Sequence, residues 1–244
     1  MPFAHVLITG ASSGLGAALA RHAAAPGVVL HLGARRADAL AAVAEDCARR
    51  GAEVTTRTVD VREAGATADW IGAAGRLDLV IANAGIGGGT GEGWEAPDTA
   101  RDIFETNVSG VLNTALPAIA VMARQDPGPD GWRGHVATIA SIAAFVAGPS
   151  APAYCASKSA VQRWTEARDA SERRRGIRLH AICPGFVRTP MTAENPFPMP
   201  FLMDPETAAQ RSFAGLERGA LRIVYPRRLY ALARLAGALP PGLR

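Results

Sequence analysis

The sequence predicts an α/β fold, a doubly wound parallel sheet with helices on both faces. Three observations carry that expectation. Short apolar runs alternate with alanine-rich helical stretches along 244 residues, the pattern of repeated strand–helix–strand units. The runs are Val/Ile/Leu-rich without clean alternation, as burial on both faces requires. A glycine cluster, Thr9-Gly10-Ala11-Ser12-Ser13-Gly14-Leu15-Gly16, falls at the first strand-to-helix turn.

In chain order, strands are expected at 5–9, 28–33, 53–58, 77–82, 135–139, 178–182 and 221–224. Helices are expected at 15–25, 38–50, 65–74, 99–124, 153–175 and 205–219, each with the apolar spacing of an amphipathic or buried helix. Three stretches are irregular. Residues 85–97 are glycine-rich, 125–134 read as a surface excursion with two prolines, and 189–204 hold four prolines, three methionines and two phenylalanines. The whole chain, 1–244, reads as one domain with no linker and no internal repeat.

Bulk composition narrows the function. Hydrophobic residues make up 48% and charged residues 20%, which suits a domain with a sizeable core. Met1-Pro2-Phe3 runs straight into an apolar strand, without the charged start of a signal peptide. No apolar run has the length of a membrane span. Cys47, Cys155 and Cys183 are odd in number and widely spaced, matching neither a disulfide framework nor a metal pattern. Reduced thiols in the cytoplasm are the expectation. A net charge of +4 with few aromatics gives no basic stripe beside stacking rings, so nucleic acid is not an expected partner.

The glycine cluster has a chemical reading. Glycine serves where a backbone turns tightly or a ligand must come close. Here the turn aims helix N-terminal N–H groups at a pyrophosphate, the Rossmann arrangement. The spacing is Gly-x-x-x-Gly-x-Gly rather than Gly-x-Gly-x-x-Gly. The second strand ends in Leu32-Gly33-Ala34-Arg35-Arg36. Arginine there suits a 2′-phosphate, and so NADP(H), where an acid would suit the ribose hydroxyls of NAD(H).

A second constellation is Tyr154-Cys155-Ala156-Ser157-Lys158. Its i,i+4 spacing puts phenol and ammonium on one helix face. A nearby positive charge favours phenolate, so Lys158 is expected to lower the Tyr154 pKa and fit it for proton transfer. Lys158 is the only lysine among 26 cationic residues. A position that alone rejects arginine calls for a compact ammonium. Ser141 lies just past the fifth strand, where its hydroxyl reaches the crevice at the strand's carboxyl end.

These residues resemble the short-chain dehydrogenase/reductase (SDR) family over at least Val6 to Thr192. Thr9-Gly10, Gly14 and Gly16 match its cofactor motif, with Ser12, Ser13 and Leu15 between them. Asp60-Val61 matches its adenine-contacting pair, and Asn83-Ala84-Gly85 the motif closing the fourth strand. Asn107-Val108-x-Gly110 carries the helix asparagine. Ser141, Tyr154 and Lys158 match the catalytic set. Pro184-Gly185, with Val187 and Thr189, matches the segment over the nicotinamide. The resemblance implies a seven-stranded Rossmann-type parallel sheet in the order 3-2-1-4-5-6-7 and a homodimer or homotetramer assembled through the helices at 99–124 and 153–175. It gives Tyr154 the role of proton donor, Ser141 that of substrate-oxygen ligand, Lys158 that of ribose ligand and Asn107 that of water anchor. Ser13 stands where many NADP-dependent members carry a basic residue, which leaves NAD(H) open.

The implied activity is NADP(H)-dependent reduction of a ketone or aldehyde, or oxidation of the matching alcohol. Two alternatives are an NAD-dependent alcohol dehydrogenase and a non-catalytic dinucleotide sensor on the same fold. Residues 189–204 are expected to form the substrate lid. Met191, Phe197, Met199, Phe201, Leu202 and Met203 make it apolar, while prolines 190, 196, 198 and 200 keep it from regular helix. Asp204-Pro205 is expected to start the next helix, with Asp204 as the capping side chain.

Overall fold

The computed structural model describes residues 3–88, 95–193, 195 and 197–240. Seven parallel strands form one sheet in the order β3-β2-β1-β4-β5-β6-β7. They are β1 His5–Thr9, β2 Val29–Ala34, β3 Glu53–Thr58, β4 Leu79–Ala82, β5 Gly134–Ile139, β6 Ile177–Pro184 and β7 Arg222–Tyr225.

Successive residues of the central strands enter opposite cores, as strand geometry dictates. Val6 and Ile8 of β1, with Leu79 and Ile81 of β4, pack in one cluster with Leu19 of α1 (Gly14–Ala23), Leu40 of α2 (Ala37–Arg49) and Phe213 of α8 (Pro205–Glu217). Leu7 and Val80 point the other way, onto Ile71 of α3 (Ala64–Ala73) and Ala115, Ile119 and Met122 of α5 (Gly110–Met122). Both faces are therefore covered, and no helix among the described residues is long and apolar enough to cross a membrane. The expectation of apolar strands fails at β3. Its residues Glu53, Thr55, Thr56, Arg57 and Thr58 are exposed, and charge along an edge strand discourages pairing with another chain.

The helix expected at 99–124 is not one regular helix. α4 (Pro97–Phe104) and α5 are joined by a π-helical turn, Glu105–Ser109. α6 (Pro152–Glu172) ends in a 3₁₀ turn, Arg173–Arg175. The lid contains a short helix, α7 (Pro190–Ala193), with Pro190 at the first position, where a missing N–H costs nothing. Asp204 does precede α8, but its side chain makes no capping bond; it accepts from Arg188 Nε at 3.2 Å instead. A further helix, α9 (Arg227–Ala238), was not expected. It packs so closely on the turn after β5 that a Cβ at Gly237 would lie 2.0 Å from the Phe145 carbonyl oxygen. The 125–134 excursion lies at the amino end of β5, opposite the glycine loop. Gln125 fastens it to the Leu77 N–H (2.7 Å) and carbonyl (3.0 Å).

Candidate active site

The carboxyl ends of the strands surround a crevice of about 310 Å³. Every residue expected to touch the dinucleotide lines it, from Gly10 to Gly16 at one side to Pro184, Gly185, Val187 and Thr189 at the other. Ligands on open parallel sheets bind at such strand ends.

The glycine loop is held by side chains. Asn83 Nδ2 donates to the carbonyls of Thr9 (2.9 Å) and Gly10 (3.1 Å). The Thr9 hydroxyl accepts from the main-chain N–H groups of Asn83 (3.1 Å) and Ala84 (3.2 Å). Gly10 has φ +66° and Gly14 φ +54°, a region that favours glycine. A Cβ at Gly16 would sit 2.2 Å from the Gly10 carbonyl oxygen, so the loop closes only with glycine there. The N-terminal N–H groups of α1 open onto the crevice, and they have no intrahelical partners.

At the end of β2, Arg35 and Arg36 are exposed on the crevice rim. Arg36 Nη2 donates to the Ser13 hydroxyl at 2.8 Å, so Ser13, although it precedes α1, is engaged sideways rather than as a cap. Asp60 accepts from Arg62 Nη2 at 2.7 Å and Nε at 3.0 Å, and Arg35 stands 4.0 Å away. The Arg62 hydrogen bond holds the Asp60 carboxyl below its usual range.

Ser141 begins the 3₁₀ turn Ile142–Phe145. Its hydroxyl accepts from the Ala143 N–H at 3.1 Å and donates to the Pro184 carbonyl at 3.4 Å. Tyr154 and Lys158 rise from the first turns of α6, with the ammonium 5.7 Å from the phenol ring centre. Lys158 Nζ donates to the Ile139 carbonyl at 2.8 Å, and burial pulls its pKa down to about 8. The expected lowering of the Tyr154 pKa is reversed. Burial pushes the phenol up, and a hydrogen bond with Ser141 only partly offsets it. Desolvation of the charged form is the dominant effect on the phenol.

Asn107 does not line the crevice; it is fully buried in the π turn. Its Oδ1 accepts from the Ile86 N–H at 2.8 Å, and its Nδ2 donates to the Ile86 carbonyl (3.0 Å) and Ser157 Oγ (3.2 Å). Sequence reasoning missed Ile86, Thr106 and Met191 as crevice residues. It also missed α9, whose Leu229 packs against Gly185. Met191 was read only as part of the lid; the inward spacing of Leu229, Tyr230, Ala233 and Gly237 was the signal for α9.

The stretch expected to be the lid, 189–204, is flanked by contacts at its base. Val187 and Met203 form a parallel bridge, with the Met203 N–H donating to the Phe186 carbonyl at 3.0 Å. Met191, Phe197 and Phe201 are 40–47% exposed on it. Pro196 lies outside the described residues.

A glycine loop with free helix N–H groups, cations beside the second strand and a Tyr–Lys pair at the far end suit a nicotinamide dinucleotide. That combination defines a dinucleotide-dependent oxidoreductase. The family model described as short chain dehydrogenase matches residues 4–197, and the chain belongs to that family, whose members act on CH–OH donors with NAD(P). It is 36% identical to an "Uncharacterized oxidoreductase" of Myxococcus xanthus, over 98% of this chain and 94% of that one. It is 32% identical to a "Putative ketoacyl reductase" of Streptomyces coelicolor, over 77% of this chain and 72% of that one. Among solved structures, a short chain dehydrogenase of Burkholderia cenocepacia in complex with NADP superposes with a TM-score of 0.79 at 26% identity, covering 98% and 95% of the two chains. One from Burkholderia phymatum in complex with NAD shares the fold at a TM-score of 0.83, with 24% identity and coverage of 95% and 92%.

Proposed function

We propose that this protein is an NADP(H)-dependent reductase of a mostly apolar ketone or aldehyde, able to oxidise the matching alcohol in reverse. The observation that carries this reading is the convergence of Ser141, Tyr154 and Lys158 at one end of a crevice whose other end holds Arg35 and Arg36. The two guanidiniums would take the 2′-phosphate, the α1 N-terminus the pyrophosphate and Lys158 the nicotinamide ribose. When bound, the nicotinamide gives or takes the hydride at the carbonyl carbon.

The chain's own residues handle the proton. Ser141 holds the substrate oxygen by a hydrogen bond. Tyr154 gives that oxygen its proton in reduction and recovers it in oxidation. Burial keeps the phenol protonated at neutral pH, the form a donor needs. The Lys158 ammonium stabilises phenolate as it develops. The Asn107 side chain is spent on Ile86 and Ser157, so a relay water would be held by its main chain, where a π turn alters the helical hydrogen bonding.

One domain, 1–244, carries these parts, and 189–204 form the lid over the substrate. Three buried free cysteines favour a cytoplasmic setting. Phe104 on α4 and Leu116 on α5 remain 42% and 44% exposed, apolar surface suited to a homodimer or homotetramer built on these helices.

The test is turnover of a ketone and aldehyde panel with NADPH and with NADH, alongside Tyr154→Phe. Tyr154→Phe should bind NADPH normally and turn over almost nothing. Near-normal turnover in that variant sinks the mechanism.

A further inference from the structure

α6 carries Tyr154 and Lys158, yet it has no cap of its own. Ala151 occupies the N-cap position and makes no side-chain bond, and Pro152 follows at the first helical position. Proline has no N–H, so the first donor left without an intrahelical partner is the Ala153 N–H. It donates to the Glu95 carboxylate, 3.2 Å to Oε2 and 3.3 Å to Oε1. Glu95 comes from 58 residues earlier in the chain, just ahead of α4. Its negative charge meets the positive end of a 21-residue helix, the favourable sense for a helix dipole. Its field reaches the next turn: after burial, Glu95 adds to the upward push on the Cys155 thiol.

α6 is held a second time one turn further on. Ile86 exchanges two hydrogen bonds with Asn107, which also donates to Ser157. Ser157 Oγ in turn donates to the Tyr154 carbonyl at 2.8 Å. α6 is thus held through Ser157 by Asn107 and at Ala153 by Glu95, on either side of Tyr154.

We propose that Glu95 is a positioning residue for Tyr154. By accepting the Ala153 N–H, it fixes the first turn of α6, and with it the phenol, against the crevice wall. This inference rests on Tyr154 being the proton donor.

The experiment uses the full chain and the variants Glu95→Ala, Glu95→Gln and Tyr154→Phe. The probes are NADPH and propiophenone. Glu95→Ala should lower kcat about two- to thirtyfold (~0.5–2 kcal/mol) and leave the KM for NADPH unchanged. Glu95→Gln keeps an acceptor and should restore most of kcat. Wild-type kcat in Glu95→Ala overturns the inference. So does an equal loss in both Glu95 variants, or a kcat loss matched by weaker NADPH binding. If Tyr154→Phe keeps turnover, the proton-donor reading fails by itself, whatever Glu95 does.

Discussion

Lys158 Nζ donates to the carbonyl oxygen of Ile139 at 2.8 Å, so the chain's only lysine is tied to the carboxyl end of β5, the strand that leads into Ser141. Lys158 is 5% exposed, and the wall of Gly85 stands close by: a Cβ there would lie 3.5 Å from the ammonium. A guanidinium is wider, and its planar fork cannot occupy the same point. Lys158→Arg should therefore lose at least about a hundredfold in kcat, the lower range of what positioned acid–base groups contribute, despite keeping its charge. In the unmodified protein, kcat/KM for the free enzyme should fall as pH rises through about 8, where Lys158 loses its proton. Steady-state kinetics from pH 6 to 10 would check this; a flat alkaline limb contradicts it.

Arg36 already rests on the Ser13 hydroxyl at 2.8 Å, beside the turn where a dinucleotide's adenosine half would lie. Replacing Arg35 and Arg36 by alanine should raise the KM for NADPH roughly ten- to a hundredfold, as loss of charge-assisted hydrogen bonds worth ~1.5–3 kcal/mol implies. NADH kinetics should change little. Equal use of both cofactors by the unmodified protein would refute the 2′-phosphate assignment.

The glycine loop and the Tyr154–Lys158 pair were legible because each depends on local spacing: the turn needs glycines at set intervals, and i,i+4 fixes a helix face. Lys158 stood out further because arginine fills every other cationic position. What sequence could not give is set by contacts across the fold. The π turn at Asn107 is invisible in a helical pattern that runs on through it. The Tyr154 pKa depends on how much protein surrounds the phenol, and that burial reversed the expected shift. The Asp204 side chain was read as a cap from its position alone, yet Arg188 across the lid takes it.

His180 is buried on β6, where its Nδ1 donates to the Ala220 carbonyl at 2.8 Å and its ring stacks on His135. Burial lowers its pKa to about 4. The unfolded chain, with an ordinary value of about 6.5, then binds protons that the native state does not. This contribution is fully present above about 6.5 and is lost as pH falls toward about 4. Its size is on the order of 3 kcal/mol. Urea unfolding at pH 7.5 and 5.0 should show lower stability at 5.0, and His180→Gln should flatten the difference. An unchanged pH slope in that variant argues against the assignment.

The lid makes the substrate prediction. Its base is fixed by the Val187–Met203 bridge, and Thr189, Pro190, Met191 and Thr192 line the crevice. Met191 lines that crevice and packs against Gly87, where a Cβ would lie 2.9 Å from Met191 Cγ. Phe186 and Phe197 pack with ring centres 6.1 Å apart. A flexible methionine side chain adapts to irregular apolar shapes, and each methylene buried there adds ~0.8 kcal/mol. Across a homologous series of alkyl and aryl ketones, kcat/KM should rise about three- to fourfold per methylene until the crevice is full. Met191→Ser should flatten that slope while leaving the KM for NADPH in place. Polyols that outperform the ketones, or a slope unaffected by Met191→Ser, would show that the lid's apolar side chains serve packing rather than substrate choice.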